Sequence, residues 1–446
     1  MTSDVYDIHE RKAARDLEKA RTMVLPPEFW DARMDLAIIR DAARRRQVAP
    51  DAVLGACLSR VTAIADWQLR IPATIGFPNP ISCWGVLTGS SSASKSAAMR
   101  IATALIPDGE PWFRTLNVST GEALITSFFE DQTNPETNKI EAAQIYHAAF
   151  IGFDEGSLLQ QLQDRKGSTL TQFMLTAWNG GDLGTETLAT SKKGQSRVLK
   201  VGTYNMSILI ALQPEVAEKF LDNAALGLVQ RFIWYSTNDP DPLRPRPKDH
   251  SIRRLGWAMP RITGRDERHN DEGGIDIDYP ERIKDQIWED GADGQLPGAS
   301  VDPLNGHLNL AKLRLAVGLA LISGRIDITE EDWALASMIA DVSGRIRADV
   351  IEGAAARLVA RDEAHIQKGA AVVLLADNAK REQFILTAED QILHLLSKRN
   401  PAPWGVFSRG LSDKQKSEFP TIMRRLVEDR RVVEQVIRNR TYWGLP

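Results

Sequence analysis

The segment Gly89-Ser90-Ser91-Ser92-Ala93-Ser94-Lys95-Ser96 matches the spacing G-x-x-x-x-G-K-[ST] at every fixed position except one, where Ser94 replaces the second glycine. The chemistry of such a loop is phosphate binding assisted by a divalent cation. Small residues let consecutive backbone N–H groups close around phosphate oxygens at the start of a helix. Lys95 would place a point charge on the β- and γ-phosphates of ATP, and the Ser96 hydroxyl would reach Mg2+. If position 94 requires a positive φ, serine costs roughly 1 kcal/mol there relative to glycine. The competing reading is a serine-rich turn whose lysine is incidental.

A second segment, Phe150-Ile151-Gly152-Phe153-Asp154-Glu155, is an apolar run that ends in two adjacent acids. At the exit of a strand, Asp154 can enter the shell of Mg2+ and Glu155 can polarise the water that attacks a γ-phosphate. Taken alone, an Asp-Glu pair just as readily opens a loop or caps a helix. Ser207-Ile208-Leu209-Ile210-Ala211-Leu212-Gln213-Pro214 is another apolar run, with the polar Gln213 at its exit, and Gly227-Leu228-Val229-Gln230-Arg231-Phe232 follows it. On residue type alone, Gln213 reads equally as a satisfied strand-end amide and Arg231 as a surface cation.

These groups need a scaffold that brings strand exits together. The short apolar runs at 82–89, 148–153 and 206–212 are predicted to be buried parallel strands, so the middle of the chain, 75–240, is expected to be an α/β core. Ligands of such sheets bind at the carboxyl ends of the strands, where both motifs would lie. Residues 1–74 are predicted to be mainly helical from the spacing of Leu36, Ile38 and Ile39, then Val53, Leu54, Cys57, Leu58, Val61 and Ile64. Within 241–380, the Pro- and charge-rich 238–248 boundary and the acidic, Gly-rich 264–303 read as linkers or insertions. Residues from His307 onward read as a helical lid, with a helix start at Thr329-Glu330-Glu331-Asp332. Lys312 and Arg314, on the first lid helix, could reach phosphates, and a solvated helix face explains them nearly as well. His147 and His307 read as core or surface residues.

Composition narrows the class. The 446 residues are 43% hydrophobic and 26% charged, the balance of a globular protein and not of a fibrous or disordered one. No run approaches the roughly 18 apolar residues of a membrane helix, and the first 21 residues lack the apolar core of a signal peptide, so no membrane association and a cytoplasmic location are expected. Cys57 and Cys83 alone can form neither a disulfide framework nor a structural zinc site. A net charge of −4 confines any nucleic-acid contact to local basic patches.

The order of a Lys-Ser loop, an Asp-Glu strand, a strand ending in a polar residue plus proline, and then Arg-Phe resembles the AAA+ ATPases. The likeness is to the superfamily 3 and virus-type primase-helicase group and, more distantly, to the minichromosome maintenance helicases. Gly121-Glu122-Ala123-Leu124-Ile125 and Ala177-Trp178-Asn179-Gly180 are similar to segments of phage and bacterial helicase-like proteins, and the resemblance covers roughly residues 75 to 345. It implies an ATPase using ATP and Mg2+, assembled as a homo-oligomeric ring, a hexamer, around single-stranded DNA. It also implies that Gln213 is the sensor contacting the γ-phosphate or attacking water, and that Arg231 is an arginine finger offered to the neighbouring subunit. Ser94 and Gln213 depart from the pattern, since glycine and asparagine are usual there.

Two further segments bear on DNA. Thr185, Thr187, Leu188 and Thr190, then Ser191-Lys192-Lys193-Gly194-Gln195, then Val198, Leu199 and Val201 suggest two β-prone arms around a turn. In the resembled helicases a hairpin in this place enters the pore, which would give Lys192 and Lys193 phosphate contacts. The alternative is a solvated surface hairpin. Residues 381–446 carry twelve Lys or Arg against eight acids. Their pattern, a helix at 385–398, a short helix at 411–417, a longer one at 419–429 and a hairpin from Val432 to Trp443, looks like a winged helix with Arg424 and Arg425 on the recognition helix. That module meets duplex DNA or docks proteins.

The expected architecture is therefore an AAA+-like P-loop α/β core with a helical N-terminal segment, a helical lid and a C-terminal winged helix. The expected function is an ATP-dependent DNA motor, a replicative helicase or helicase loader of phage or mobile-element type with replication proteins as partners. Two other classes stay open: a non-helicase NTPase such as a defence or packaging motor, and a nucleotide-binding adaptor with a weakened site, which Ser94 favours.

Overall fold

In the computed structural model the described residues are 2–74, 76–89, 95–116, 120–136, 138–153, 170–184, 196–214, 227–249, 251–270, 273–296 and 306–446. They form two compact units, Met1–Ala355 and Ala356–Pro446.

The first unit opens with α1 (Thr2–Thr22), α2 (Pro27–Asp31), α3 (Met34–Arg44) and α4 (Pro50–Ile64). Prolines at the first positions of α2 and α4 cost nothing there, because those N–H groups have no helical partner. Every residue of α4 is buried, including Asp51, Ser59, Arg60 and Thr62. A helix with no solvent face must lie inside the structure. Thr62 shows where: its hydroxyl lies 3.0 Å from that of Ser207, and its carbonyl accepts the Asn205 side-chain amide. The N-terminal helices are thus part of the same unit as the sheet.

The chain continues through β1 (Leu69–Ile71), β2 (Asn79–Pro80), β3 (Gly85–Thr88), α5 (Lys95–Leu105), β4 (Phe113–Leu116) and α6 (Gly121–Thr126). A hairpin of β5 (Phe129–Thr133) and β6 (Ile140–Gln144) follows, then β7 (Ala148–Phe153), α7 (Leu170–Trp178), β8 (Asn205–Leu212) and β9 (Ile233–Ser236). The three apolar runs of the sequence became β3, β7 and β8. With β4 and β9 they form a five-stranded parallel sheet in the order β4-β7-β8-β3-β9. All eight residues of β8 are buried, as expected for a strand covered on both faces.

The acidic, Gly-rich 264–303 segment differs from its reading as a linker. It contains β10 (Ile275–Asp276), which pairs in parallel with β1, and α8 (Glu281–Gly294). Ile275, Ile277 and Tyr279 alternate and then Ile283 and Ile287 recur at helical spacing, all buried. Overall composition concealed this short apolar pattern. The unit closes with α9 (Leu308–Ile322) and the beginning of α10 (Glu330–Lys398). The start of α10 is fixed as its sequence suggests: the Thr329 N–H and hydroxyl donate to the Asp332 carboxylate at 2.9 and 2.8 Å.

In the second unit the last turns of α10 pack with β11 (Ala402–Pro403), α11 (Trp404–Gly410), α12 (Asp413–Glu428), β12 (Val433–Ile437) and β13 (Arg440–Gly444). The three strands form a small sheet in the order β11-β13-β12. A single helix, α12, spans the region read as two: Ser412 with Gln415 forms a capping box at its start, and Pro420 lies within it. Among the described residues no helix is long and apolar enough to cross a membrane.

Candidate functional site

The direction of the connections locates the crevice of the main sheet. From β3 the chain travels to the far edge at β4, whereas from β8 it travels the other way, past β3, to β9. With right-handed crossovers, connections that leave in opposite directions lie on opposite faces. The exits of β3 and β8, which are adjacent, therefore diverge and leave a crevice between them, the place where open α/β sheets bind ligands.

Gly89 and Gln213 are the residues at those two exits. Thr88 is in register with Leu212, and the Gly89 N–H donates to the Leu212 carbonyl at 3.4 Å. On the other side of β3, the N–H and hydroxyl of Thr237 donate to the Thr88 carbonyl at 3.0 and 3.1 Å, which ties the exit of β9 to the same edge. Helix α5 is described from Lys95, whose ammonium donates to the Gly89 carbonyl at 3.1 Å while the residue as a whole is only 7% exposed. Lys95 thus sits in the first turn of a helix, where the positive end of the helix dipole favours anions. Ser96 follows it with its side chain exposed. Gln213 is half-buried at the exit of β8. Lys95, Gly89 and Gln213 are thus gathered on one edge, as their motifs required.

Other motif residues, Ser90, Ser91, Ser92, Ala93, Ser94, Asp154 and Glu155, lie outside the described residues, as do Lys192 and Lys193. What is described of β7 ends at Phe153, which pairs in register with Ile210 of β8 and so reaches the same edge. The arms of the expected hairpin meet at Leu183 and Leu199, whose N–H and carbonyl groups bond reciprocally at 2.9 Å.

Arg231 is not part of this edge. It sits in a single 3-10 turn, Val229–Arg231, immediately before β9, and β9 runs parallel to β3. The four residues of β3 span about 13 Å, so Arg231 and Lys95 lie at opposite ends of the sheet. Half-buried, its guanidinium donates to the Gly227 carbonyl and lies 5.0 Å from the centre of the Trp178 ring. Gly227 has φ +81, a backbone conformation that favours glycine, and a Cβ there would come within 2.6 Å of that guanidinium, which would have to shift.

Of the two lid-helix cations, Lys312 rests 4.1 Å from the Trp333 ring and Arg314 rests 4.0 Å from the Trp178 ring. Sequence reasoning placed Arg314 as a phosphate contact or a solvated residue. It is instead fully buried, because its side chain leans back along α9 and donates to the Trp178 carbonyl at 2.6 Å. His307, read as a core or surface residue, packs its ring 4.8 Å from the same indole. The signal that could have found this cluster was the tryptophan of the Ala177–Gly180 segment together with cations at the start of the lid helix.

On the second unit the adjacent arginines of α12 part company. Arg425 pairs with Glu382 at 2.8 Å and Glu389 at 3.2 Å, which holds it against α10. Arg424 is exposed and borders a cavity of about 740 Å3 that Trp404, Phe419, Met423 and Trp443 line.

No protein-family model matches the sequence, and no curated protein matches it.

Proposed function

We propose that this chain is a P-loop ATPase of AAA+ type that acts as a motor on DNA, as a helicase or helicase loader assembled into a homo-oligomeric ring. The observation that carries the reading is the position of Lys95: buried at the start of α5, bonded to the Gly89 carbonyl, beside the diverging exits of β3 and β8. Phosphate oxygens placed there would meet backbone N–H groups and the Lys95 ammonium together. In this reading Lys95 would bind and neutralise the β- and γ-phosphates, and Gln213, half-buried at the exit of β8, would orient the γ-phosphate or attacking water. Ser96 offers a hydroxyl oxygen, a hard donor suited to Mg2+, and Asp154, which follows β7 in the sequence, would complete the ion's shell; Mg2+ would supply charge neutralisation. Glu155 takes the role of polarising water.

The DNA part of the proposal rests on the resemblance and on two supports. Residues 381–446 are net basic, and the order of helix, short strand, two helices and hairpin, with β13 between β11 and β12, is consistent with a winged helix. Leu183 and Leu199 pair at the flanks of the segment read as a hairpin, whose sequence carries Lys192 and Lys193 at its expected turn. The direct experiment measures ATP binding and Mg2+-dependent hydrolysis, with and without single-stranded DNA, for the native chain and Lys95→Ala. Hydrolysis stimulated by DNA and lost in Lys95→Ala is the expected result, and equal hydrolysis by both would overturn the assignment. Electron microscopy with an ATP analogue and DNA tests the ring.

The adaptor alternative has one specific support. Arg231 is folded against Trp178 and Gly227 of its own chain, so a finger role requires it to leave these partners.

A further inference from the structure

Three groups that carry or can acquire positive charge surround one indole at the end of the sheet away from Lys95. Arg314, Arg231 and His307 lie 4.0, 5.0 and 4.8 Å from the Trp178 ring. Among the described residues no carboxylate pairs with either guanidinium. Arg314 is 2% exposed, and among the described residues its Nε and Nη1 have no hydrogen-bond partner, nor does the buried Nε of Arg231. A buried guanidinium cannot escape this situation by giving up its proton at neutral pH, because arginine stays charged. The ring face and one carbonyl offset part of the cost, yet two orphaned N–H donors on a fully desolvated cation remain expensive.

The charges also oppose one another. Burial, then Arg231 and Arg314, push the His307 imidazole down to about 4, so at neutral pH it is uncharged and able to donate one N–H. His307 is moreover the N-cap of α9, whose first turn has no side-chain cap, so the positive end of a fifteen-residue helix adds to the same field. His307 also lines a cavity of about 650 Å3 with Thr74, Asn79 and Asn309.

We propose that Arg314, Arg231 and His307 form a binding site for a phosphate-type oxyanion, separate from the Lys95 crevice and contained within one chain. Arginine forks match tetrahedral oxyanions, and such a ligand would satisfy the orphaned N–H groups while neutralising the cluster. The site goes beyond the ATPase reading and does not depend on it.

The test uses the full-length Lys95→Ala chain, so that phosphate bound in the P-loop does not contribute. Its melting temperature is followed against millimolar inorganic phosphate at ionic strength held constant with chloride, and separately against the phosphodiester dTpdT. A saturable rise with phosphate is expected, as for any ligand that binds only the folded chain. Adding Arg231→Gln should weaken the apparent affinity at least tenfold, and adding Arg314→Met should abolish the response; Arg231→Gln keeps the test valid if Arg314→Met does not fold. Protection by phosphate alone would identify a free phosphate or phosphomonoester, and protection by dTpdT as well would identify a nucleic-acid backbone. No saturable response to either ligand, or a response unchanged in Arg231→Gln, would overturn the proposal.

Discussion

The Lys95 ammonium donates to the Gly89 carbonyl across 3.1 Å, closing the base of the loop that runs between these two residues. The carbonyl is an acceptor that a phosphate can replace, and a replacement by a charged acceptor is the stronger bond. In the proposed role the Lys95 ammonium would exchange this carbonyl for a phosphate oxygen.

From this geometry, Lys95→Ala should abolish ATP hydrolysis and weaken nucleotide binding by tenfold or more, since it removes a buried cation at the β3 exit. Glu155→Gln should abolish hydrolysis and retain binding, because its proposed task is on the water and not on the nucleotide. Fluorescent-nucleotide titration and phosphate-release assays on both variants check this pair, and native-like turnover in both would remove the ATPase reading.

Ser94→Gly should leave hydrolysis unchanged or raise it. If residue 94 adopts a positive φ, glycine removes a cost of about 1 kcal/mol, equivalent to roughly fivefold in an equilibrium. A large loss of activity in a steady-state assay would mean that the serine hydroxyl itself is required.

How much of this was visible in the sequence depends on the kind of signal. The strands β3, β7 and β8 are short, mostly apolar runs centred on Val, Ile, Leu, Ala and Phe, so burial on both faces wrote them plainly. The placement of Lys95 at the start of a helix that follows a strand was legible because the motif belongs between those two elements. In contrast, α8 and β10 hide in an acidic segment whose five buried residues are diluted by charges, and the inward face shows only when those positions are aligned. Arg231 and Arg314 meet at Trp178 although the three are far apart in the chain, and no local pattern records a contact made by tertiary folding. Arg425 was indistinguishable from Arg424 until Glu389 was seen to face it.

Asp51 supplies a pH prediction. Its carboxyl is buried in α4 and pushed up to about 7, first by desolvation and further by Asp239, against the opposing effects of the Leu25 N–H and Arg44. A carboxyl whose folded pKa lies above its unfolded value keeps its proton longer in the folded state. Its contribution is therefore most favourable below the ordinary value of 3.8, is lost as pH rises toward 7, and is constant above that. The loss is at most about 4 kcal/mol at 1.36 kcal/mol per pK unit. Asp51→Asn should then be more stable than the native chain at pH 8, with the gap closing toward pH 4. Urea denaturation of both proteins across this range measures it, and parallel pH profiles would show that Asp51 does not titrate in this way.

Arg231 gives the sharpest test of assembly. It lies at the end of the sheet opposite Lys95, so within one chain it cannot reach the phosphates that Lys95 would hold. In a ring the same separation is an advantage, because an arginine finger acts on nucleotide bound by the neighbouring subunit. Arg231→Ala should keep ATP binding and lose hydrolysis by about 10³ or more, the scale of such fingers in trans. Lys95→Ala and Arg231→Ala damage opposite sides of the shared site. When the two inactive proteins are mixed, some interfaces join an intact Lys95 loop to an intact Arg231, and these should hydrolyse ATP. Disassembled, mixed and reassembled, the pair should recover measurable phosphate release. If Arg231 instead only braces Trp178 and the Gly227 turn, its loss damages the chain that carries it, and the mixture yields no more than the sum of its parts. Mass spectrometry that shows mixed assemblies, together with merely additive activity, would exclude Arg231 as the trans-acting group.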